Sequence, residues 1–131
     1  MTDTTHNDLI TLSRQLLDSI DRQDWDTYTQ LCDPTLSAFE PEGVGHLIEG
    51  MPFHQFYFEM EGSGRAKQST ISSPNIRLLG DVAVITYVRL IQRVDADGSA
   101  PSAAFEETRV WQRQDGDWRH VHFHRSVPAT P

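Results

Sequence analysis

Two arginines sit where arginine is hard to bury. Arg89 lies within the apolar run 82–91, and Arg109 within Glu106-Glu107-Thr108-Arg109-Val110-Trp111. A guanidinium keeps its charge inside a protein, so each must reach water, pair with a buried carboxylate, or line a cavity that receives an anion. Both segments read as strands. Two such cations on neighbouring strands predict either an anion pocket within a sheet or internal ion pairs with Glu106, Glu107, Glu40 or Glu49. Guanidinium forks suit a small carboxylate, which they bind by charge-assisted, bidentate hydrogen bonds. An acid–base enzyme is the competing class, with Glu107 or Glu40 as base and Tyr28, Tyr87 or His54 as donor to a developing oxyanion. Two fixed cations lower the pKa of a nearby carboxylate and weaken it as a base near neutral pH, which favours binding over catalysis.

Other constellations carry less. His120, His122 and His124 alternate along one predicted strand, and simple alternation places them with Trp118 on one face and Arg119, Val121, Phe123 and Arg125 on the other. Neighbours on one face stand ~6–7 Å apart. That spacing suits at most two ligands on one ion, and no Asp or Cys shares the face, so neither a metal site nor a cofactor is expected. Cys32 is the single cysteine, which excludes a disulfide framework and reads as a half-buried residue ending a helix. There is no glycine-rich phosphate loop, dinucleotide fingerprint or nucleophile elbow.

The net charge of −8 is unevenly spread: residues 1–60 carry eleven acids and two bases, residues 61–131 eight acids and nine bases. An acidic chain without a Lys/Arg cluster excludes nucleic acid and anionic membrane as expected partners. No apolar run is long enough to span a bilayer, and Met1-Thr2-Asp3-Thr4-Thr5 lacks the layout of a signal peptide. A cytoplasmic location is therefore expected.

Elements that could position the two arginines follow from periodicity. Leu9, Leu12, Leu16, Leu17 and Ile20 fall at helical spacing, predicting an amphipathic helix over 5–22 with Thr5 and Asp8 in capping-box-like positions. Asp24 caps a second, short helix from Trp25 to about Leu31, stopped by Asp33-Pro34. A brief strand over 36–39 and a loop over 40–45 lead to a third helix, opened by Pro52, reaching about Glu59 and burying Phe53, Phe56 and Tyr57. Four long strands follow over 67–79, 82–95, 102–114 and 117–126, separated by the turn pairs Gly80-Asp81, Asp97-Gly98 and Asp115-Gly116. Pro74 predicts a bulge or an edge position in the first of them, the run 82–91 is expected to be buried on both faces, and the tail 128–131 is expected to be loose. Helices on one side of a strongly bent antiparallel sheet give an α+β fold, a single domain over 1–131.

The segments Cys32-Asp33-Pro34, Ala38-Phe39-Glu40-Pro41-Glu42, Phe53-His54-Gln55-Phe56-Tyr57-Phe58-Glu59, Glu106-Glu107-Thr108-Arg109-Val110-Trp111 and Val121-His122-Phe123-His124-Arg125-Ser126 carry a resemblance. In this order, over about residues 8–126, they resemble the association, or hub, domain of calcium/calmodulin-dependent protein kinase II. The resemblance implies a nuclear transport factor 2-like cone, a curved antiparallel sheet packed on N-terminal helices. That superfamily also holds ketosteroid isomerase and the SnoaL-like polyketide cyclases. It implies a solvent-open cavity able to bind small carboxylates, with Arg89 and Arg109 at the matching positions and Tyr28 and His54 at its mouth or wall. A third hub arginine lies after the third helix, where the loop 61–67 is two residues shorter here, so Arg65 is its approximate counterpart; the hub's loop tryptophan has no equivalent near Met60 or Glu61. No kinase or calmodulin-binding segment precedes the domain, which implies a stand-alone hub-like protein. The resemblance further implies a homodimer able to build larger ring-like oligomers. The function expected is an oligomerisation domain with an arginine-lined pocket for a small carboxylate or similar anion. The alternative is a small-molecule enzyme of the SnoaL or ketosteroid isomerase type, for which no catalytic residue is assigned.

Overall fold

The computed structural model describes residues 2–128, so the tail expected to be loose lies, from Ala129 on, outside the described residues. Helix α1 (Thr2–Asp21) starts three residues earlier than its Thr5 signal, leaving Thr5 inside the helix rather than at its cap. Its apolar stripe does what the period requires: Leu9, Leu16 and Leu17 are buried, with Leu12 and Ile20 packed beside them. Helix α2 (Trp25–Leu31) is capped by Asp24, whose carboxylate accepts from the Thr27 amide at 3.2 Å and the Thr27 hydroxyl at 2.7 Å.

Strand β1 (Cys32–Phe39) begins directly at the end of α2, four residues before the expected start. Pro34, which has no amide proton to donate, falls in the gap of the β1 ladder between Cys32 and Ser37, where the register shifts. A 3₁₀ turn (Pro41–Gly43) and a two-residue strand β2 (Ile48–Glu49) follow, the latter too short to leave a periodic signal. Helix α3 (Pro52–Phe58) leads to β3 (Lys67–Leu79), β4 (Val82–Arg93), β5 (Ser102–Gln114) and β6 (Asp117–Ser126).

The strands form one sheet in the order β2-β1-β6-β5-β4-β3. All neighbours are antiparallel except β1 and β6, which run parallel. The sheet is therefore mixed, because β1 joins the edge of the meander from the far end of the chain. Pro74 lies on the edge strand β3 and within a register shift between Ser72 and Asn75, where Ser73 has φ 52°.

A second bulge, between Val110 and Trp111, decides which side chains share the inner face. Trp111 pairs with His120 and Val110 with His122, so Val121 is the extra residue. Alternation reverses there: His120 and Phe123 are buried on the inner side, while His122 and His124 lie on the outer one. The predicted single-face histidine stripe is thus broken by one inserted residue. Strand β4 is likewise one-sided, with Ala83, Ile85, Tyr87, Arg89 and Ile91 buried but Val84, Val88 and Leu90 only half-buried and Thr86 exposed. Its outer face is left open by the helices, which cover one side only. In α3, Phe56 is 63% and Tyr57 39% exposed rather than buried, since this short helix turns His54 and Phe58 inward.

Candidate functional site

Arg89 and Arg109 project from adjacent strands onto the inner face, where Asp21 at the end of α1 meets Arg89. Arg109 is 1% exposed and Arg89 3%. Arg89 donates to Asp21 Oδ1 at 2.9 Å, to Glu107 Oε2 at 3.3 Å and to Ser69 Oγ at 2.8 Å. Arg109 donates to Glu107 Oε1 at 2.9 and 3.1 Å and to the Tyr87 hydroxyl at 2.9 Å, and its guanidinium lies 4.5 Å from the centre of the Phe123 ring. The Tyr87 hydroxyl in turn donates to Glu107 Oε1 at 2.7 Å. Burial alone would raise the Glu107 carboxyl, but Arg109, Arg89 and these hydrogen bonds hold it below its ordinary value. Glu107 is thus a fixed anion bridging two fixed cations.

Behind Arg109 the polar chain continues into the core. Burial and the neighbouring guanidinium hold His120 well below its ordinary pKa, so the ring is neutral. Its Nε2 accepts from Arg109 at 3.4 Å, which leaves Nδ1 carrying the proton and facing Cys32 Sγ at 3.4 Å. Burial pushes the Cys32 thiol up to about 12, which removes its nucleophilic form at neutral pH.

In front of the arginines lies a cavity of about 260 Å³ between the end of α1, helix α3 and the inner faces of β4 to β6. Its charged wall comprises Arg89, Arg109, Arg125 and Lys67 against Glu40 and Glu42; Tyr28, His54, Phe58 and Phe123 supply most of its aromatic wall. Arg125 donates from Nη2 alone to both carboxylate oxygens of Glu42, and its guanidinium stacks on Phe105 at 4.9 Å. Gln23 holds the mouth, donating to the Met60 carbonyl at 2.8 Å and the Tyr57 carbonyl at 3.1 Å at the end of α3. His54 is 5% exposed; burial, and then Arg109, bring its pKa down to about 4. Its Nε2 has no hydrogen-bond partner among the described residues, and its Nδ1 stands 3.7 Å from Glu40 Oε1. Burial, and then Glu42, push the Glu40 carboxyl up to about 7.

Of the residues singled out in the sequence, Arg89, Arg109, Tyr28 and His54 meet at this one cavity. Arg65 does not: it is exposed on the loop before β3 and does not line the cavity, although Lys67 two residues on does. Among the expected carboxylate partners, Glu107 takes both arginines, Glu40 faces His54 and Arg125, and Glu106 and Glu49 are exposed. Four charged groups had not been singled out for the site, Glu42 of the turn after β1 among them. Asp21 sits at the end of α1, four residues beyond Leu17 on the buried stripe; Arg125 shares the inner face with Phe123; Lys67 opens β3. The signal for Arg125 was its place two residues after Phe123 in a segment already marked by resemblance. Among the described residues, no group of three His, Cys, Asp or Glu side chains is placed to hold a metal ion, and no helix is long and apolar enough to cross a membrane.

The sequence model of the calcium/calmodulin dependent protein kinase II association domain matches residues 5–129. The delta subunit of calcium/calmodulin-dependent protein kinase type II from Oryctolagus cuniculus is 46% identical, over 95% of this chain and 25% of that protein. The chain spans about a quarter of the length of the curated relatives it matches. Among solved structures, the association domain of C. elegans CaMKII superposes with a TM-score of 0.90 at 40% identity, covering 95% of this chain and 97% of that one. A nuclear transport factor 2-like superfamily protein from Salmonella enterica superposes with a TM-score of 0.80 at 25% identity, covering 99% and 95%.

Proposed function

The chain belongs to the calcium/calmodulin-dependent protein kinase II association domain family, and from that premise we propose that it is a self-associating hub-like domain whose cavity binds a small carboxylate or similar anion. The observation that carries the ligand reading is the meeting of Arg89, Arg109 and Arg125 at one small cavity where buried His54 Nε2 finds no partner among the described residues. A cavity of about 260 Å³ lies below the ~300–1,000 Å³ of sites for drug-sized ligands, so the ligand is small. Arg109, Arg125 and His54 supply the polar contacts, and Phe58 and Phe123 cover the apolar part of the ligand. Catalysis finds less support, because Glu107 already accepts from two guanidiniums and a phenol and is a poor base at neutral pH.

Self-association is supported by the outer face of the sheet. Val84, Val88, Leu90 and Val110 are half-buried there, and Phe39 is 38% exposed beside His122 and His124. A second copy of the same face, related by a two-fold axis, covers this surface in the closed way that homodimers use. Two measurements test the reading. Propionate and benzoate should raise the melting temperature of the wild type and not of Arg125→Ala or Arg109→Ala, because a ligand of the native state stabilises by mass action. Light scattering behind gel filtration should give a dimer or larger ring at both low and high ionic strength. Indifference of the wild type to every anion would remove the ligand reading, and a monomer at micromolar concentration under both conditions would remove the assembly.

A further inference from the structure

Glu40 stands outside the ion-pair frame of the cavity. It follows the last residue of β1, its side chain is 9% exposed, and its carboxylate makes no hydrogen bond within the described residues. His54 from α3 faces it at 3.7 Å and Arg125 from β6 at 3.8 Å. Arg109 and Glu107 of β5 act on it through space, as does Glu42 from the turn that follows it. None of these neighbours satisfies it: Arg125 Nη2, the nitrogen nearest to it, donates to Glu42 instead, and His54 is neutral at physiological pH.

Charge counting shows what this arrangement selects. The cations Arg89, Arg109, Arg125 and Lys67 face Asp21, Glu107, Glu42 and Glu40. With Glu40 ionised the set is balanced and has no vacancy for an anion; with Glu40 protonated, four cations face three anions, and one negative charge completes the set. We propose that the cavity takes up its ligand as a monoanion together with one proton held on Glu40, whose carboxyl O–H then donates to an anionic oxygen of the ligand. The proton comes from solvent and is released when the ligand leaves. Glu40 is in this sense a specificity-determining residue of the anion site inferred above, on which this inference rests. It favours monocarboxylates and disfavours dianions, whose second charge would have no counterpart. The carboxyl is prepared for the step, since burial and Glu42 push it up to about 7 before any ligand arrives, and a neighbouring anion raises it further.

Titration calorimetry of the wild type with propionate, in buffers of different ionisation enthalpy, counts the protons. Uptake should approach one per propionate at pH 8.5 and fall towards zero at pH 5.5. Affinity should drop about tenfold between pH 7.5 and 8.5, the slope of one linked proton. Glu40→Gln, an uncharged donor of the same shape, should bind at pH 8.5 as the wild type does at pH 6, with no proton uptake. Propionate binding without proton uptake at any pH, or a Glu40→Gln variant that keeps the wild-type pH slope, overturns the proton linkage and leaves the anion site standing. Absence of binding in both proteins overturns the two together.

Discussion

Replacing Glu107 by Gln removes one charge and keeps the shape of the side chain, so it isolates the electrostatic centre of the fold. The carboxylate is fully buried, with Arg89 at 3.3 Å on Oε2 and Arg109 at 2.9 Å and Tyr87 at 2.7 Å on Oε1. In Glu107→Gln the amide oxygen can still accept from Arg109 and Tyr87. The amide nitrogen then meets the Arg89 guanidinium donor to donor, and two buried cations are left with Asp21 alone. Breaking a buried ion pair from one side costs about 3–5 kcal/mol. In a domain of this size that lowers the melting temperature by roughly 10 °C or more. Urea unfolding followed by tryptophan fluorescence measures the loss, with Glu106→Gln on the exposed outer face of the same strand as a control expected within about 0.5 kcal/mol of wild type. Propionate should recover part of the loss, since the variant cavity carries one more uncompensated positive charge, and its stabilising effect should be larger than on the wild type. A loss under about 1 kcal/mol would refute the reasoning, because a single charge could then be removed from between two buried guanidiniums at the cost of an ordinary surface change.

Three further outcomes follow from the same contacts. The Glu40 carboxyl titrates at about 7 in the fold against 4.5 in the open chain, so the stability it contributes is fully present below pH 4.5 and is lost as the pH rises through 7, by at most about 3 kcal/mol; Glu40→Gln should therefore gain on wild type in urea midpoint between pH 5 and pH 8, and an unchanged difference would refute this. The Cys32 thiol, buried and pushed up to about 12, should react with a thiol reagent at pH 8 at least about a hundredfold more slowly in the folded protein than in urea, and equal rates would contradict the Cys32–His120 packing. Deleting Val121 should turn the bulge into regular ladder, with His120 still opposite Trp111 and His122 opposite Val110, so both flanks keep their faces and a cooperative unfolding transition should survive; loss of that transition would mean that Val121 is not a dispensable extra residue.

The helices and turns were legible because each rests on a local signal: the Leu9 to Ile20 stripe, the Asp24 cap, and the Gly80-Asp81, Asp97-Gly98 and Asp115-Gly116 turns. Pro74 marked its bulge for a local reason too, its missing amide proton. Long-range pairing left no such trace. The parallel partnership of β1 with β6 depends on where the chain returns, and a two-residue β2 has no period to read. The inner face of β6 was misread because alternation assumes no inserted residue, and Val121 gives no compositional warning of being one. Arg89 drew notice by being charged inside an apolar run, and Arg109 by lying on a neighbouring predicted strand. Asp21 did not, since an acid at the end of a polar-faced helix looks solvated until the sheet folds over it. The exposure of Phe56 was hidden for the converse reason: α3 is apolar on several sides, and only its packing decides which side turns inward.

A crystal structure with 4-bromobenzoate, its bromine located by anomalous scattering, tests the anion site most directly. The account predicts the carboxylate between Arg109 and Arg125, within hydrogen-bond reach of His54 Nε2 and Glu40, and the bromine against the apolar wall near Phe58. Bromine found only outside the cavity, at a ligand concentration that stabilises the protein in solution, would contradict it.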